Sequence, residues 1–246
     1  DHFSIGYFDG EVEVGRMGEP NALAPIFNTD ILNWGAEGGS VADPATVPGW
    51  YVLPTQMASS TTWLLESFST TDVRKAYHAG GTHSFRPRSY VYGSVFAYQE
   101  VTLAAAAPAV STGRATINFS GFANTPRAGG SQADRVSFEV EVLDAENKVI
   151  ASNTRLVQHS EIKQHFQRFE TTDVAIPPEA KAFRARFNFL EVSGTSDLQI
   201  TVDHLRAEVK LDGAIVKTYG APEAAPILGN PDLLNPSLVE PTALAQ

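Results

Sequence analysis

Cysteine is absent from the 246 residues, and methionine occurs only twice. Without thiols there is no disulfide framework, no thiol nucleophile and no cysteine-ligated zinc. No apolar run approaches the roughly 20 residues that a membrane-spanning helix needs, so no membrane insertion is expected. Positive charge is scarce: 18 Lys and Arg stand against 28 Asp and Glu, a net charge of −10. Phosphate recognition needs clustered cations, which argues against nucleic acid as a partner. Anionic membrane surfaces are disfavoured for the same reason.

What the chain does carry is alternation. Ala115–Phe122, Val136–Val142, Lys148–Ser152, Phe166–Glu170, Ala182–Phe189, Leu198–Val202 and Leu205–Leu211 each switch between apolar and polar residues with period two, the mark of half-buried strands. Asp144–Asn147 reads as a turn between two of them. Ser94–Leu103 adds a further strand, and Ile5–Phe8 and Val12–Val14 a shorter pair split by Asp9-Gly10. Pro108 and the flanking β-branched residues favour a connection over a helix at Ala104–Ala107, and Gln158–Gln164 has room for one short turn. From Asn33 to Thr62 the chain is loop-rich around Trp34 and Trp50, with Trp63 just beyond. Strands at this spacing predict an all-β antiparallel sandwich of the jelly-roll kind. We divide the chain into an extended segment 1–30, a sandwich 31–219 and a tail 220–246. In that tail Pro231, Pro236 and Pro241 bar a helix, while the pairs Ile227-Leu228, Leu233-Leu234 and Leu238-Val239 give it an apolar rhythm.

Several short signatures in a fixed order carry a family resemblance. They are Asn33-Trp34-Gly35-Ala36-Glu37-Gly38, Pro48-Gly49-Trp50, Gly80-Gly81-Thr82-His83-Ser84-Phe85, Tyr98-Gln99-Glu100-Val101, Pro178–Arg184 and Thr201-Val202-Asp203-His204-Leu205. In this order the chain resembles the galactose-binding-like jelly rolls found among carbohydrate-binding modules. Ala36 departs from the pattern, where a Phe is usual before the Glu. The resemblance implies a structural calcium held by Glu37 and Asp203 with backbone oxygens near Gly80 and Ser84, since calcium takes six to eight hard oxygen ligands. It also implies a sugar-stacking surface, for which alternation recommends Tyr90 and Tyr92 on one face with Arg88 just before them. Trp34 and Trp50 read instead as core plugs.

Catalysis finds no such support. A glycosidase needs two facing carboxylates, and here the acidic residues are scattered. His78, His83, Tyr90 and Arg88 supply the types a jelly-roll lyase would use, without a pattern. There is no Gly-x-Ser-x-Gly, no P-loop, and His159 and His165 are too far apart for a helical metal pair. No catalytic residue is assigned and an enzyme is not expected. The segments outside the resemblance point to assembly: a secreted structural subunit forming a homo-oligomer or polymer, such as a filament, sheath or surface layer. In that reading Ile5 and Tyr7 belong to a donor strand, and Ile227, Leu228, Leu233, Leu234, Leu238 and Val239 to a latch on a neighbour. The alternative is a carbohydrate-binding module recognising extracellular polysaccharide. A processed secreted protein would begin as this chain does, without Met, so the cell surface or exterior is the expected location.

Overall fold

The computed structural model describes residues 5–9, 12–17, 27–36, 47, 49–55, 64–69, 83–88, 93–125, 135–163, 166–191 and 200–222. Strands dominate: β1 (Ile5–Asp9), β2 (Val12–Met17), β3 (Tyr51–Thr55), β4 (Leu64–Ser69), β5 (His83–Arg88), β6 (Gly93–Thr102), β7 (Ala115–Asn124), β8 (Arg135–Leu143), β9 (Val149–Gln158), β10 (Gln167–Glu170), β11 (Val174–Ala175), β12 (Ala182–Glu191), β13 (Thr201–Leu211) and β14 (Ala214–Gly220). One sheet has the order β3-β6-β12-β8-β9; the other runs β10-β7-β13-β5-β4, with β11 on β7 and β14 on β13. Every strand pair among the described residues is antiparallel, and β1 and β2 form a hairpin of their own. The expected sandwich is therefore the observed architecture.

Alternation builds the core. From the five-stranded sheet Val95, Ala97, Val101, Phe138, Val140, Phe183, Phe187 and Phe189 point inward, and from the other sheet Phe85, Ile117, Phe119, Val202, Ala207, Val209 and Tyr219 meet them. Aromatic edges cross the gap: Phe119 meets Phe138 at 6.1 Å and Phe183 meets Tyr219 at 5.1 Å. Trp50 is only 7% exposed and sits edge-on to Phe85 and Phe187, its Nε1–H donating to the Asn33 carbonyl. It is the core plug expected of it.

Three local readings are corrected. Of Leu198–Val202 and Leu205–Leu211, read as two strands, the end of the first, Thr201-Val202, is joined to the second in β13, which runs through Leu205 as a bulge. The Ala104–Ala107 run, read as a connection, forms a 3-10 turn leading into a helical turn, α1 (Ala107–Val110), whose Pro108 lies in the first turn where no intrahelical N–H is required. Within the stretch read as loop-rich, Tyr51–Thr55 forms β3 at a sheet edge, a position that tolerates Pro54.

The bulge organises the rest. Asp203 pairs with Phe122 and Arg206 with Ser120, so His204 and Leu205 together oppose the single residue Gly121. His204 takes φ +55, and a Cβ at Gly121 would stand 2.5 Å from Phe138 Cε1 and 2.8 Å from Leu205 Cδ2. The bulge turns the Leu205 backbone out of the ladder, and two other segments take it up. The Leu205 N–H donates to the Trp34 carbonyl, and the Ala221 N–H donates to the Leu205 carbonyl, both at 3.0 Å. Gly220, at φ +81, brings its backbone so close that a Cβ would lie 2.5 Å from that carbonyl oxygen. Asp30 Oδ1 accepts from the N–H groups of both Ile31 and Gly220.

The same strap, residues 27–36, reaches the other sheet through Gln99. That buried side chain donates to the Leu32 carbonyl at 2.6 Å and accepts from Leu32 N–H and from Asn28 Nδ2. Asn28 also exchanges backbone bonds with Glu100 and Thr102, continuing the edge of β6 beyond the last β3 pair, Tyr51 with Tyr98.

His204 closes the arrangement. Its Nε2–H donates to the Pro222 carbonyl at 2.9 Å, while Trp34 and Phe122 pack edge-on against the ring. Burial is the main reason its pKa lies below the ordinary histidine value; the bond to Pro222 pulls the other way, and Arg206 and Arg168 add to the lowering. A histidine depressed in the folded state binds its proton more readily when unfolded, so its contribution is complete above about pH 6.5 and is lost as pH falls below it. The wild-type Tm should drop between pH 7.5 and 5.5, by about 2–4 °C for each 1 kcal/mol lost. His204→Asn keeps a residue that tolerates the left-handed backbone and should show a smaller drop over that interval. Equal drops in the two proteins would remove His204 as the cause.

Candidate functional site

The two sheets present different outer faces. On the seven-stranded sheet the outward positions of β7 and β13 carry Asn118, Ser120, Asn124, Thr201, Arg206 and Glu208, and all six are buried. That face offers little to a ligand. The outer face of the five-stranded sheet is the more accessible of the two, and its strand register sets side chains in rows across the strands. One row is Tyr51, Tyr98, Arg186, Glu139, Thr154; beside it runs Glu100, Arg184, Glu141, Ser152; on the other side lies Phe96, Asn188, Ser137, Leu156.

Tyr51 is 64% exposed and stacks on Tyr98, the ring centroids 5.3 Å apart and the planes 22° from parallel. Two guanidinium groups finish the aromatic corner: Arg184 lies 5.2 Å from the Tyr98 centroid and Arg186 lies 4.2 Å from that of Phe96. Arg184 is fully engaged. It bonds Glu100 Oε1 through Nη2 at 2.7 Å and Nε at 3.1 Å, and Glu141 Oε2 through Nη1 at 2.5 Å. Burial works against its charge, but these two carboxylates outweigh burial and hold its pKa above the ordinary value. Asn147, in the turn after β8, donates to both oxygens of Glu100. Burial first, and then Glu100, raise the Tyr98 phenol, which therefore stays protonated and able to donate a hydrogen bond.

Arg186 is held more loosely, with Nη1 3.4 Å from Glu139. Its Nε, and Asn188 Oδ1 in the adjacent row, have no hydrogen-bond partner. Both atoms are buried, so what the face presents is a stacked aromatic plate rimmed by paired guanidinium and carboxylate groups. An aromatic ring accepts the C–H face of a pyranose, and polar groups at the rim orient its hydroxyls. The carboxylates on these rows are each tied to an arginine, so none stands free to serve as half of a hydrolytic pair.

The site residues expected from the sequence are described only in part. Tyr90 and Tyr92 lie outside the described residues. Arg88 ends β5, paired with Leu64 in the seven-stranded sheet, and so belongs to a different sheet from Tyr51 and Tyr98. Of the expected calcium ligands, Glu37 and Gly80 lie outside the described residues. The other two are brought together: Val202 pairs with Phe85, a register that sets Asp203 opposite Ser84. Both are wholly buried; Asp203 Oδ1 accepts from the His204 N–H, and Ser84 Oγ has no hydrogen-bond partner. Among the described residues no three His, Asp or Glu side chains converge as a metal cluster. Ile5 and Tyr7 sit on β1, paired with Met17 and Gly15. Ile227, Leu228, Leu233, Leu234, Leu238 and Val239 lie outside the described residues, as does Trp63, so the assembly reading gains no support from the described structure. Tyr51 and Tyr98 were missed by the sequence reading, although each adjoins a residue of the family signatures that the structure buries, Trp50 and Gln99.

No protein-family model matches the sequence, and no curated protein matches it. Solved structures do resemble the fold, and they include carbohydrate-binding modules. TmCBM61, solved in complex with β-1,4-galactotriose, is 11% identical with a TM-score of 0.47, the match covering 74% of this chain and 99% of that one. The CBM22-1 xylan-binding domain of Xyn10C from Paenibacillus barcinonensis is 12% identical with a TM-score of 0.37, covering 78% of this chain and 99% of that one. An arabinose-bound α-L-arabinofuranosidase, MgGH51, is 12% identical with a TM-score of 0.45, and the match covers only 26% of it. These are likenesses of fold at low identity, and the chemistry of the face has to be judged on its own residues.

Proposed function

We propose that the protein binds polysaccharide without catalysis, taking the sugar on the outer face of its five-stranded sheet. The observation that carries this reading is the exposed Tyr51 stacked on Tyr98, with Phe96, Arg186 and Asn188 continuing the surface. A large aromatic left in water at a sheet surface, backed by a second ring, suits a ligand with an apolar face and a polar edge. The anchored Arg184 supports the same reading, because it holds Tyr98 in place before any ligand arrives, which limits the ordering cost of binding. Polysaccharide is met outside the cell, so we place the protein there. No described helix is long and apolar enough to cross a membrane. Tyr51→Ala should weaken retention in a polysaccharide affinity gel about tenfold or more, equivalent to about 1.4 kcal/mol. Its unfolding free energy should stay within about 0.5 kcal/mol of wild type, since an exposed side chain contributes little to stability. Unchanged retention on every polysaccharide that holds the wild type would overturn the assignment of this face.

We retain calcium as a structural part of the proposal. A buried carboxylate facing a buried hydroxyl without a hydrogen-bond partner is the kind of oxygen pair that a hard cation takes up, and Asp203 and Ser84 would be the ligands, with Glu37 and the Gly80 region completing the set. Bound there, the ion would fasten β5 to the bulge in β13. Calcium should raise the wild-type Tm relative to protein stripped with chelator and leave Ser84→Ala less affected. A Tm that ignores calcium in both would remove the metal from the account.

A further inference from the structure

We propose that the tyrosine plate is selective for uncharged sugars and turns away uronates and other acidic units; this rests on the binding reading above. The charges around the plate decide it. On the two rows containing Tyr98 and Glu100 stand two guanidinium groups, Arg184 and Arg186, and three carboxylates, Glu100, Glu139 and Glu141. Arg184, the cation nearest the stacked rings, spends three hydrogen bonds on Glu100 and Glu141. Arg186 is turned to Glu139. A sugar carboxylate stacked at this corner would find both cations already engaged and Glu100 as a neighbour of like charge. Specificity built this way comes from what it repels as much as from what it binds.

A hydroxyl meets no such obstacle. Being neutral, it is not repelled by Glu100 and needs no unpaired cation, and it can bond at the rim while the ring face stacks on Tyr51. Among the described outward positions of these strands the other cation is Arg135, four residues before Glu139 on β8 and about 13 Å away at ~3.3 Å per residue, beyond a sugar unit resting on the tyrosines. The net charge of −10 acts in the same direction, slowing the approach of polyanions.

A printed array of short neutral and uronate-bearing oligosaccharides, probed with the full chain and with Tyr51→Ala, tests this. All signals lost in Tyr51→Ala are expected to come from uncharged oligosaccharides. Uronate-bearing oligosaccharides of equal strength among those signals would overturn the selectivity and leave the binding reading standing. If no signal depends on Tyr51, the binding reading fails and the selectivity with it. A second arm unlocks the clamp: Glu141→Gln should free part of the Arg184 charge and raise uronate signals about tenfold, as an available guanidinium–carboxylate pair allows. Glu100→Gln serves should that variant fold poorly. No gain in either folded variant would show that the clamp is not what excludes acidic sugars.

Discussion

Two hydrogen bonds at one residue determine how this sandwich is closed. The bulge in β13 turns the N–H and C=O of Leu205 out of the sheet, in a place where neither reaches water. A buried peptide group left unpaired costs about 1–3 kcal/mol, so both must be met from elsewhere in the chain. Trp34 supplies the acceptor and Ala221 the donor. Those two residues lie far apart in sequence, and each brings further contacts with it. The strap ahead of Trp34 satisfies Gln99 on the opposite sheet, and the stretch before Ala221 offers the Gly220 N–H to Asp30. One irregular residue thus ties the two sheets, the strap and the last described strand into a single closed unit.

Closure has a consequence for the surface. On the seven-stranded sheet most outward residues of β7 and β13 are buried, while among the described residues the strap meets β6 at its edge and along its inward side. The outer rows of the five-stranded sheet are left free. On that open face period-two alternation gives the side chains regular neighbours across strands, and the arginine–glutamate pairs become structural. Such pairs add little stability at an exposed surface, but they fix the orientation of the rings beside them. Arg184 is the clearest case, because its carboxylate partners on both flanking strands and its position over Tyr98 set one side chain against three neighbours.

The strands that alternate cleanly were legible in the sequence. β7, β8 and β12 follow the pattern of Ala115–Phe122, Val136–Val142 and Ala182–Phe189 closely. The bulge was not, since it requires His204 in a left-handed conformation that nothing in the local composition demands. The sequence therefore looked like two strands where the chain makes one. β14 was overlooked although Asp212-Gly213 between two apolar runs is a hairpin signal. The proposed tyrosine face was overlooked for a related reason. Tyr90-Val91-Tyr92 shows both tyrosines on one side of a local pattern, whereas Tyr51 and Tyr98 come together only through strand pairing across 47 residues of sequence. The family pattern drew attention to Gln99 and Trp50, and both proved to be structural: one anchors the strap and the other fills the core.

The central claim is that ligand contacts the outer face of the five-stranded sheet and nowhere else. Amide and side-chain NMR of the isotope-labelled protein, titrated with a soluble neutral oligosaccharide chosen from the array, tests it most directly. The account predicts shifts clustered at Tyr51, Phe96, Tyr98, the Arg186 Nε–H and the Asn188 side-chain amide, with β7 and β13 unmoved. Shifts centred on Asn118, Arg206 and Glu208, or on residues outside both sheets, would contradict it.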